Sequence, residues 1–160
     1  MPARTRIKIC GLTREEDVHA AVDAGADAIG LVFYSRSPRH VSLARAVQLA
    51  NLLPPFVTPV GLFVNAAAAD VEAAGRAIPN LLLQFHGDEV EADCSRHGRP
   101  YLRAARIGEG FDLLDFARQF TSAQALLLDA LVDGYGGGGK VFDWSVIPVN
   151  VPVPVVLSGG

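Results

Sequence analysis

Seven short apolar runs, which alternate with alanine-rich, helix-like stretches, restrict the fold of this chain more than any other feature. We predict strands over residues 6–10, 28–33, 57–63, 81–85, 101–105, 125–128 and 153–157. The strand ends recur every ~20–30 residues, the length of a strand–loop–helix–loop unit, so the strands should run parallel. The pattern therefore predicts an α/β fold, and it fits both an open doubly wound sheet and a closed (β/α)8 barrel.

Polar residues ahead of the alanine-rich stretches mark where the helices begin. Thr13 and Glu16 fit a capping box, while Ser42 and Asn65 are candidate caps of the second and third helices. The apolar stripe of the first helix consists of Val18, Ala21 and Val22.

The length and composition of the chain limit its organisation and its partners. At 160 residues and without a low-complexity linker, it has the size of a single domain over residues 1–160. Its hydrophobic fraction of 50% is typical of globular proteins, and its net charge of −3 provides no basic field for a nucleic acid backbone. The expected partner is therefore a small molecule, not a nucleic acid.

The N-terminal segment and the cysteines indicate the compartment. The start of the chain lacks the apolar segment and cleavage site of a secretory signal, and no apolar run reaches the ~18 residues of a membrane span. Cys10 and Cys94 are too few for a disulfide framework, and their spacing matches no zinc pattern. We expect a cytoplasmic protein with no membrane span and no metal site.

Functional side chains should lie at the carboxyl ends of the strands, as they do in α/β barrels. The residues at the predicted strand ends are Cys10, Ser35 to Arg39, Asn65, His86, Asp129, Ser158, Gly159 and Gly160. A thiol, a guanidinium, an imidazole, a carboxylate and a glycine pair at one edge suggest a convergent pocket.

Cys10 ends the first strand, and the two-residue period places Lys8 on the same face. A neighbouring ammonium group would favour the thiolate, which is the form that can act as a base. From position alone, a small buried hydrophobic residue is an equally good interpretation. Cys94 lies in a helical stretch away from any strand end, and we expect it to be structural.

Asp129, Arg39 and His86 each have more than one interpretation. Asp129 follows an apolar run, so it could act as an acid paired with Cys10, cap the next segment or stay solvated. Arg39 could bind a substrate carboxylate in bidentate fashion or lie in solvent. His86 could contact a ligand or be a hydrogen-bonded structural residue.

Two glycine-rich segments could bind phosphate. Gly159 and Gly160 follow the seventh strand, and glycines let backbone N–H groups approach phosphate oxygens closely. The glycine run at residues 136–139, which includes Gly137 and Gly139, could be an anion nest, a flexible lid or an ordinary surface loop.

Eight short motifs follow one another along nearly the whole chain. They are Lys8-Ile9-Cys10-Gly11, Gly30-Leu31-Val32-Phe33, Ser37-Pro38-Arg39, Gly61-Leu62-Phe63-Val64-Asn65, Gln84-Phe85-His86-Gly87, Leu128-Asp129, Phe142-Asp143-Trp144 and Leu157-Ser158-Gly159-Gly160. In this order the motifs resemble the phosphoribosylanthranilate isomerase family of tryptophan biosynthesis, whose members form (β/α)8 barrels.

The resemblance implies an aldose–ketose isomerase that uses neither a cofactor nor a metal. Its reaction would be the Amadori rearrangement of N-(5′-phosphoribosyl)anthranilate to 1-(2-carboxyphenylamino)-1-deoxyribulose 5-phosphate. Asp129 would act as general acid on the furanose ring oxygen, and Cys10, as thiolate, would remove the C2 proton. Arg39 would hold the anthranilate carboxylate, and His86 would be a further substrate contact. The residues beside the phosphate would be Gly137, Gly139, Gly159 and Gly160.

Two departures from the family pattern affect these expectations. Gly138 replaces the hydroxyl residue that the family usually has in its glycine run, so we expect weaker substrate binding. The family also continues past Ser-Gly-Gly with another helix, an eighth strand and a last helix. The resemblance therefore implies a barrel truncated after the seventh strand, inactive by itself if the missing strand is essential. We expect a monomer or a homodimer.

Two other functions stay open at this point. A histidine-pathway sugar isomerase runs similar chemistry on a similar barrel, but it resembles this chain less because its first strand ends in an aspartate where Cys10 stands. A truncated, non-catalytic remnant could instead bind a partner through its exposed sheet edges. Turnover by the chain, alone or with an added C-terminal piece, distinguishes these functions.

Overall fold

The computed structural model describes residues 4–130 and 143–159. These residues fall into two compact units, which divide in the sequence between Leu83 and Gln84. The single domain that we predict over residues 1–160 stays a prediction. Among the residues that are described, no helix is both long and apolar enough to cross a membrane.

The first unit consists of three strand–helix repeats and the beginning of a fourth strand. The elements are β1 (Lys8–Cys10), α1 (Glu15–Asp23), β2 (Ala28–Val32), α2 (Leu43–Ala50), β3 (Thr58–Phe63), α3 (Ala68–Ala77) and β4 (Leu82–Phe85), whose last two residues belong to the second unit. The strands lie side by side in chain order and are parallel, with Cys10 opposite Gly30 and Gly30 opposite Val60.

The second unit continues the same alternation from the end of β4. Its elements are α4 (Glu91–Ser95), β5 (Tyr101–Ile107), α5 (Leu113–Gln119), β6 (Ala125–Ala130), a short 3-10 helix (Trp144–Val146) and β7 (Val155–Leu157). These strands also follow chain order, and β6 pairs in parallel with β5 and with β7. The α/β fold with parallel strands, predicted from the sequence, is therefore confirmed.

The predicted strands are present, with shifted ends. Both β5 and β6 extend two residues past their predicted ends because Ile107 and Ala130 continue the ladder as register partners. Asp129 therefore lies within the last two residues of β6 instead of following it. Strand β7 begins at Val155 instead of residue 153, since Pro154 has no N–H to donate to a neighbouring strand.

Two of the predicted helix caps are wrong. Helix α1 begins at Glu15 with Arg14 at the cap position, so Thr13 and Glu16 do not form a capping box. Asn65 lies three residues before α3 with a φ of 49°, outside the cap position, which Ala67 occupies. The cap at Ser42 is confirmed, because its side chain accepts a hydrogen bond from the backbone N–H of Arg45.

The core of each unit is built from its apolar strand residues. All six residues of β6 are buried, and four of the five residues of β2 are buried. This double-faced burial is typical of parallel strands that helices cover, and it explains why the runs are continuously apolar. Val18 and Ala21 of the predicted α1 stripe are buried, and Val22 is half-buried.

Candidate functional site

Cys10 is the last residue of β1, as the sequence predicts, and it shares a face of the strand with Lys8. Lys8 and Cys10 are half-buried, whereas Ile9 between them is 40% exposed. This alternation places the ammonium-bearing side chain and the thiol on the same face of the strand.

The neighbouring strand leaves space for the thiol at Gly30, the register partner of Cys10. A Cβ atom at Gly30 would stand 2.5 Å from the Sγ of Cys10 and 3.0 Å from its Cα. Both distances are too short for any side chain at position 30. The glycine is therefore required for this placement of the sulfur.

Arg39 lies across the end of the same strand. Its Nη1 donates a hydrogen bond of 3.0 Å to the carbonyl oxygen of Cys10, and its backbone N–H donates to Ser37 Oγ at 3.1 Å. A Cβ at Gly11 would lie only 2.6 Å from Arg39 Cδ, and Gly11 has a φ of 85°, which favours glycine. The guanidinium is thus held beside the proposed base, with the side chain exposed.

His86 and Asp129 form a buried pair in the second unit. The Nε2 atom of His86 lies 3.2 Å from Oδ2 of Asp129, and the two residues are 5% and 8% exposed. His86 directly follows β4, and Asp129 comes near the end of β6. The structure therefore brings together two of the residues predicted at strand ends.

Hydrogen bonds stabilise the ionised form of Asp129. The hydrogen bond from His86 lowers the pKa of this carboxyl most, and burial opposes that effect. The backbone N–H of Ala130, which donates to Oδ1 at 3.0 Å, and the side chain of Ser158 lower the pKa further. These hydrogen bonds favour the charged form of the carboxyl group.

Ser158 and Gly159 continue from the end of β7. The backbone N–H of Ser158 donates to the carbonyl of Leu128 at 2.9 Å, and Gly159 has a φ of 89°. The predicted phosphate residues Gly137, Gly139 and Gly160, together with Gly138, lie outside the residues that the structure describes.

Two buried polar residues beside the His86–Asp129 pair were not predicted from the sequence. Gln84 is 1% exposed, and its Nε2 lies 3.3 Å from Nδ1 of His86. Arg103 is 5% exposed, and it donates at 3.0 Å to the carbonyls of Phe85 and Gly87 on either side of His86. The available signal was a polar residue inside an apolar run, since both interrupt predicted strands.

Glu89 completes the support of the segment after β4. Its carboxylate lies 3.6 Å from Arg103 Nη1 and accepts a 2.8 Å hydrogen bond from the N–H of Gly87. The Arg103 guanidinium also packs over the ring of Phe120, with its Cζ 4.9 Å from the centroid. These contacts fix the backbone that carries His86.

Cys94 lies buried in α4. Burial raises the pKa of its thiol to about 12, so it stays protonated at neutral pH. This environment fits the structural role that we predict for it. Among the residues that are described, no group of three or more His, Cys, Asp or Glu residues is arranged to hold a metal ion.

Comparison with known proteins identifies one family over almost the entire chain. The family model described as N-(5'phosphoribosyl)anthranilate (PRA) isomerase matches residues 7–160. The N-(5'-phosphoribosyl)anthranilate isomerase of Leptothrix cholodnii is 77% identical over 159 residues, which cover 99% of this chain and 72% of the relative. That of Methylibium petroleiphilum is 71% identical over 157 residues, with coverages of 98% and 74%.

Solved structures of phosphoribosyl anthranilate isomerase share the fold. The Thermotoga maritima structure superposes with a TM-score of 0.87 at 35% identity, covering 98% of this chain and 78% of the other. A structure in complex with reduced 1-(o-carboxyphenylamino)-1-deoxyribulose 5-phosphate gives a TM-score of 0.84 at 32% identity, with coverages of 98% and 76%.

Proposed function

The chain belongs to the N-(5'-phosphoribosyl)anthranilate isomerase family, and we propose that it catalyses the family's reaction with Cys10 as the base and Asp129 as the acid. The observation that carries the proposal is the match over residues 7–160, which includes both residues. The product is 1-(2-carboxyphenylamino)-1-deoxyribulose 5-phosphate. The comparisons do not favour either a histidine-pathway isomerase or a non-catalytic remnant.

The reaction proceeds by ring opening followed by tautomerisation. Asp129 gives its proton to the furanose ring oxygen while the bond between C1 and that oxygen breaks, and the anilino nitrogen supplies the electron pair that forms the Schiff base. The Cys10 thiolate then removes the proton from C2, and the electron pair of that C–H bond moves to form the enolamine. Cys10 then returns its proton to C1 while the C2 hydroxyl gives its proton to the Asp129 carboxylate, which converts the enolamine to the ketone and restores both groups. We propose that neither a cofactor nor a metal takes part, because acid–base steps alone balance the reaction.

The placement of Cys10 and Asp129 supports their roles. Cys10 is half-buried at the end of β1, with Lys8 on the same face of the strand. Asp129 is a buried carboxyl at the end of a strand, held by His86. A buried carboxyl with fixed partners is a common arrangement for an acid–base residue.

Arg39 is the proposed site for the anthranilate carboxylate. Its exposed guanidinium uses Nη1 to contact the carbonyl of Cys10, which leaves further N–H groups for an anion. We propose His86 as a further substrate contact. The proposed phosphate contacts are Gly137, Gly139, Gly159 and Gly160, of which Gly159 already has a backbone conformation that exposes N–H groups in loops.

The complete fold, the cellular compartment and the oligomeric state are also proposals. The seven strands would be the first seven of a (β/α)8 barrel, and residues 1–160 would belong to that one domain. We propose a cytoplasmic protein, either a monomer or a homodimer. One solved relative, from Thermotoga maritima, consists of monomers generated from a dimeric enzyme.

Turnover of the substituted protein tests the role assignment. Cys10→Ser and Asp129→Asn should each lower kcat by ~100-fold or more, since general acid–base groups contribute 10²–10⁴-fold, and should leave substrate binding nearly unchanged. Cys94→Ala is the matched control, because this thiol belongs to a helix, stays protonated and has no part in the proposed reaction, so the variant should keep the wild-type kcat. Wild-type turnover in either Cys10→Ser or Asp129→Asn would contradict the assigned role.

The proposed role of Arg39 in binding the carboxylate is tested separately. Arg39→Lys keeps the charge but loses the planar fork, so KM should rise by roughly tenfold with a smaller change in kcat. Arg36→Lys, an exposed arginine in the same loop, is the matched control and should change neither constant. An equal change of KM in Arg39→Lys and Arg36→Lys would contradict the proposed carboxylate contact.

A further inference from the structure

Gln84 is a buried polar residue that the proposed reaction does not use. We propose that Gln84, His86 and Asp129 form a proton relay, in which the amide of Gln84 selects the tautomer of His86 and thereby determines whether Asp129 holds the proton that it donates. This inference rests on the proposed role of Asp129 as the acid. Gln84 is then a positioning residue, since it acts on the acid through His86.

The three side chains form a continuous chain of hydrogen bonds. The Nε2 atom of Gln84 lies 3.3 Å from Nδ1 of His86, and Nε2 of His86 lies 3.2 Å from Oδ2 of Asp129. The three residues are 1%, 5% and 8% exposed. Water therefore has little access to compete for these bonds, and each side chain depends on its neighbour for its partner.

The amide oxygen of Gln84 supplies the second observation. Its Oε1 is buried and has no hydrogen-bond partner, although a buried amide oxygen is normally satisfied. A rotation of the amide by 180° exchanges Oε1 and Nε2 while leaving the rest of the side chain in place. That rotation would bring Oε1 within hydrogen-bond distance of Nδ1 of His86.

The two amide orientations support different protonation states of the pair. With Nε2 of Gln84 toward His86, Nδ1 must accept, so Nε2 of His86 carries the imidazole proton and donates to an ionised Asp129. With Oε1 toward His86, Nδ1–H donates to the amide, and one additional proton lies between Nε2 of His86 and Oδ2 of Asp129. This second state is the one from which Asp129 can protonate the ring oxygen of the substrate.

Two further residues of the second unit lie beside Asp129 or act on it. Arg106 of β5 is the register partner of Asp129, and its guanidinium pairs with Asp88 at 2.7 Å. Ser158, which follows β7, hydrogen-bonds to Asp129 and helps to hold it ionised. In the described part of the second unit, Gln84 is therefore the group that meets the far nitrogen of His86.

Two substitutions at Gln84 should change the tautomer of His86 and the titration of the pair in different ways. Gln84→Met is nearly isosteric and removes both the amide donor and the amide acceptor, so His86 should lose its single tautomer while the midpoint of the pair changes little. Gln84→Glu offers only acceptors and a negative charge, so the midpoint should rise. The midpoint is read from the ¹⁵N chemical shifts of the His86 ring, which also report the tautomer. Leu83→Met, a buried position on the other face of β4, is the matched control and should leave the midpoint and tautomer unchanged.

Kinetics provide the second readout. Gln84→Met should lower kcat by roughly tenfold with little change in KM, since the loss of one hydrogen bond leaves His86 without a selected tautomer, and Leu83→Met should keep the wild-type kcat. An unchanged His86 tautomer in Gln84→Met, or a midpoint that does not rise in Gln84→Glu, would overturn the relay. Retained turnover in Asp129→Asn would instead overturn the proposed acid while leaving the NMR result intact, so the two failures are distinguishable.

Discussion

Alanine at position 30 tests how the fold accommodates the proposed base. Gly30 is the register partner of Cys10, and an added Cβ would stand 2.5 Å from Sγ and 3.0 Å from Cα of Cys10. The sulfur can move by rotation about χ1, but the Cα belongs to a paired strand and moves only with the backbone. Gly30→Ala should therefore strain the sheet and displace the thiol together.

The sizes of both effects follow from these distances. Ordinary contacts between heavy atoms are about 3.5–4.0 Å, so Sγ of Cys10 must move by about 1 Å. Overpacking of this kind costs about 1–3 kcal/mol of unfolding free energy, and misplacing a reacting group by about 1 Å costs ~100-fold in rate. Urea unfolding should show the first effect in Gly30→Ala, and kcat for phosphoribosylanthranilate should show the second.

Gly61→Ala separates the loss of stability from the loss of catalysis. A Cβ at Gly61 would stand 2.9 Å from Phe63 Cε2 and 3.1 Å from Leu81 Cδ2, so a comparable overpacking occurs away from Cys10. It should lower stability by a similar ~1–3 kcal/mol but leave kcat within about threefold of the wild-type value. Equal losses of kcat in Gly30→Ala and Gly61→Ala, or a wild-type kcat in Gly30→Ala, would refute the reasoning.

Three further predictions concern stability, each measured by urea unfolding. Ser42→Ala removes the cap of α2 and should cost ~1 kcal/mol; no change would contradict the cap. Glu89→Gln leaves the guanidinium of Arg103 buried without its carboxylate and should cost ~3 kcal/mol; a loss under ~1 kcal/mol would contradict the ion pair. The hydrogen bond from the N–H of Ile7, followed by the one from a nearby arginine, lowers the pKa of Asp27 to about 2. The stability that Asp27 provides is therefore present above the ordinary value of ~3.9 and is lost as the pH falls from there toward about 2, and Asp27→Asn should flatten that part of the pH profile.

The sequence predicts the fold well because strands that are buried on both faces consist of continuous apolar runs, which are easy to recognise. The apolar run of β6, for example, is buried along its full length. Helix starts are harder to predict, because a cap depends on backbone geometry that several residues determine together. Ser42 adopts that geometry, whereas Asn65 has the left-handed φ of a turn and lies before the helix.

The proposed catalytic residues could be selected from the sequence, but their supporting contacts could not. Cys10 ends the first strand and Asp129 comes directly after three leucines, so the position of each in its strand is visible in the residue order. The space that Gly30 leaves for a sulfur on the neighbouring strand depends on register. The link from Gln84 to His86 depends on side-chain orientation, and the buried position of Arg103 depends on which carbonyls surround it. Gln84 and Arg103 are visible in the sequence as polar interruptions of apolar runs, but the contacts that they make have no local sequence signature.

Consumption of phosphoribosylanthranilate, followed by the change in anthranilate fluorescence, tests the central claim most directly. The protein should convert the freshly generated substrate, and Cys10→Ser and Asp129→Asn should each lose ~100-fold or more of the kcat while still binding it. Loss of activity in both variants, with Cys94→Ala fully active, is the predicted result. Conversion of the substrate at an undiminished rate by both Cys10→Ser and Asp129→Asn would contradict the account.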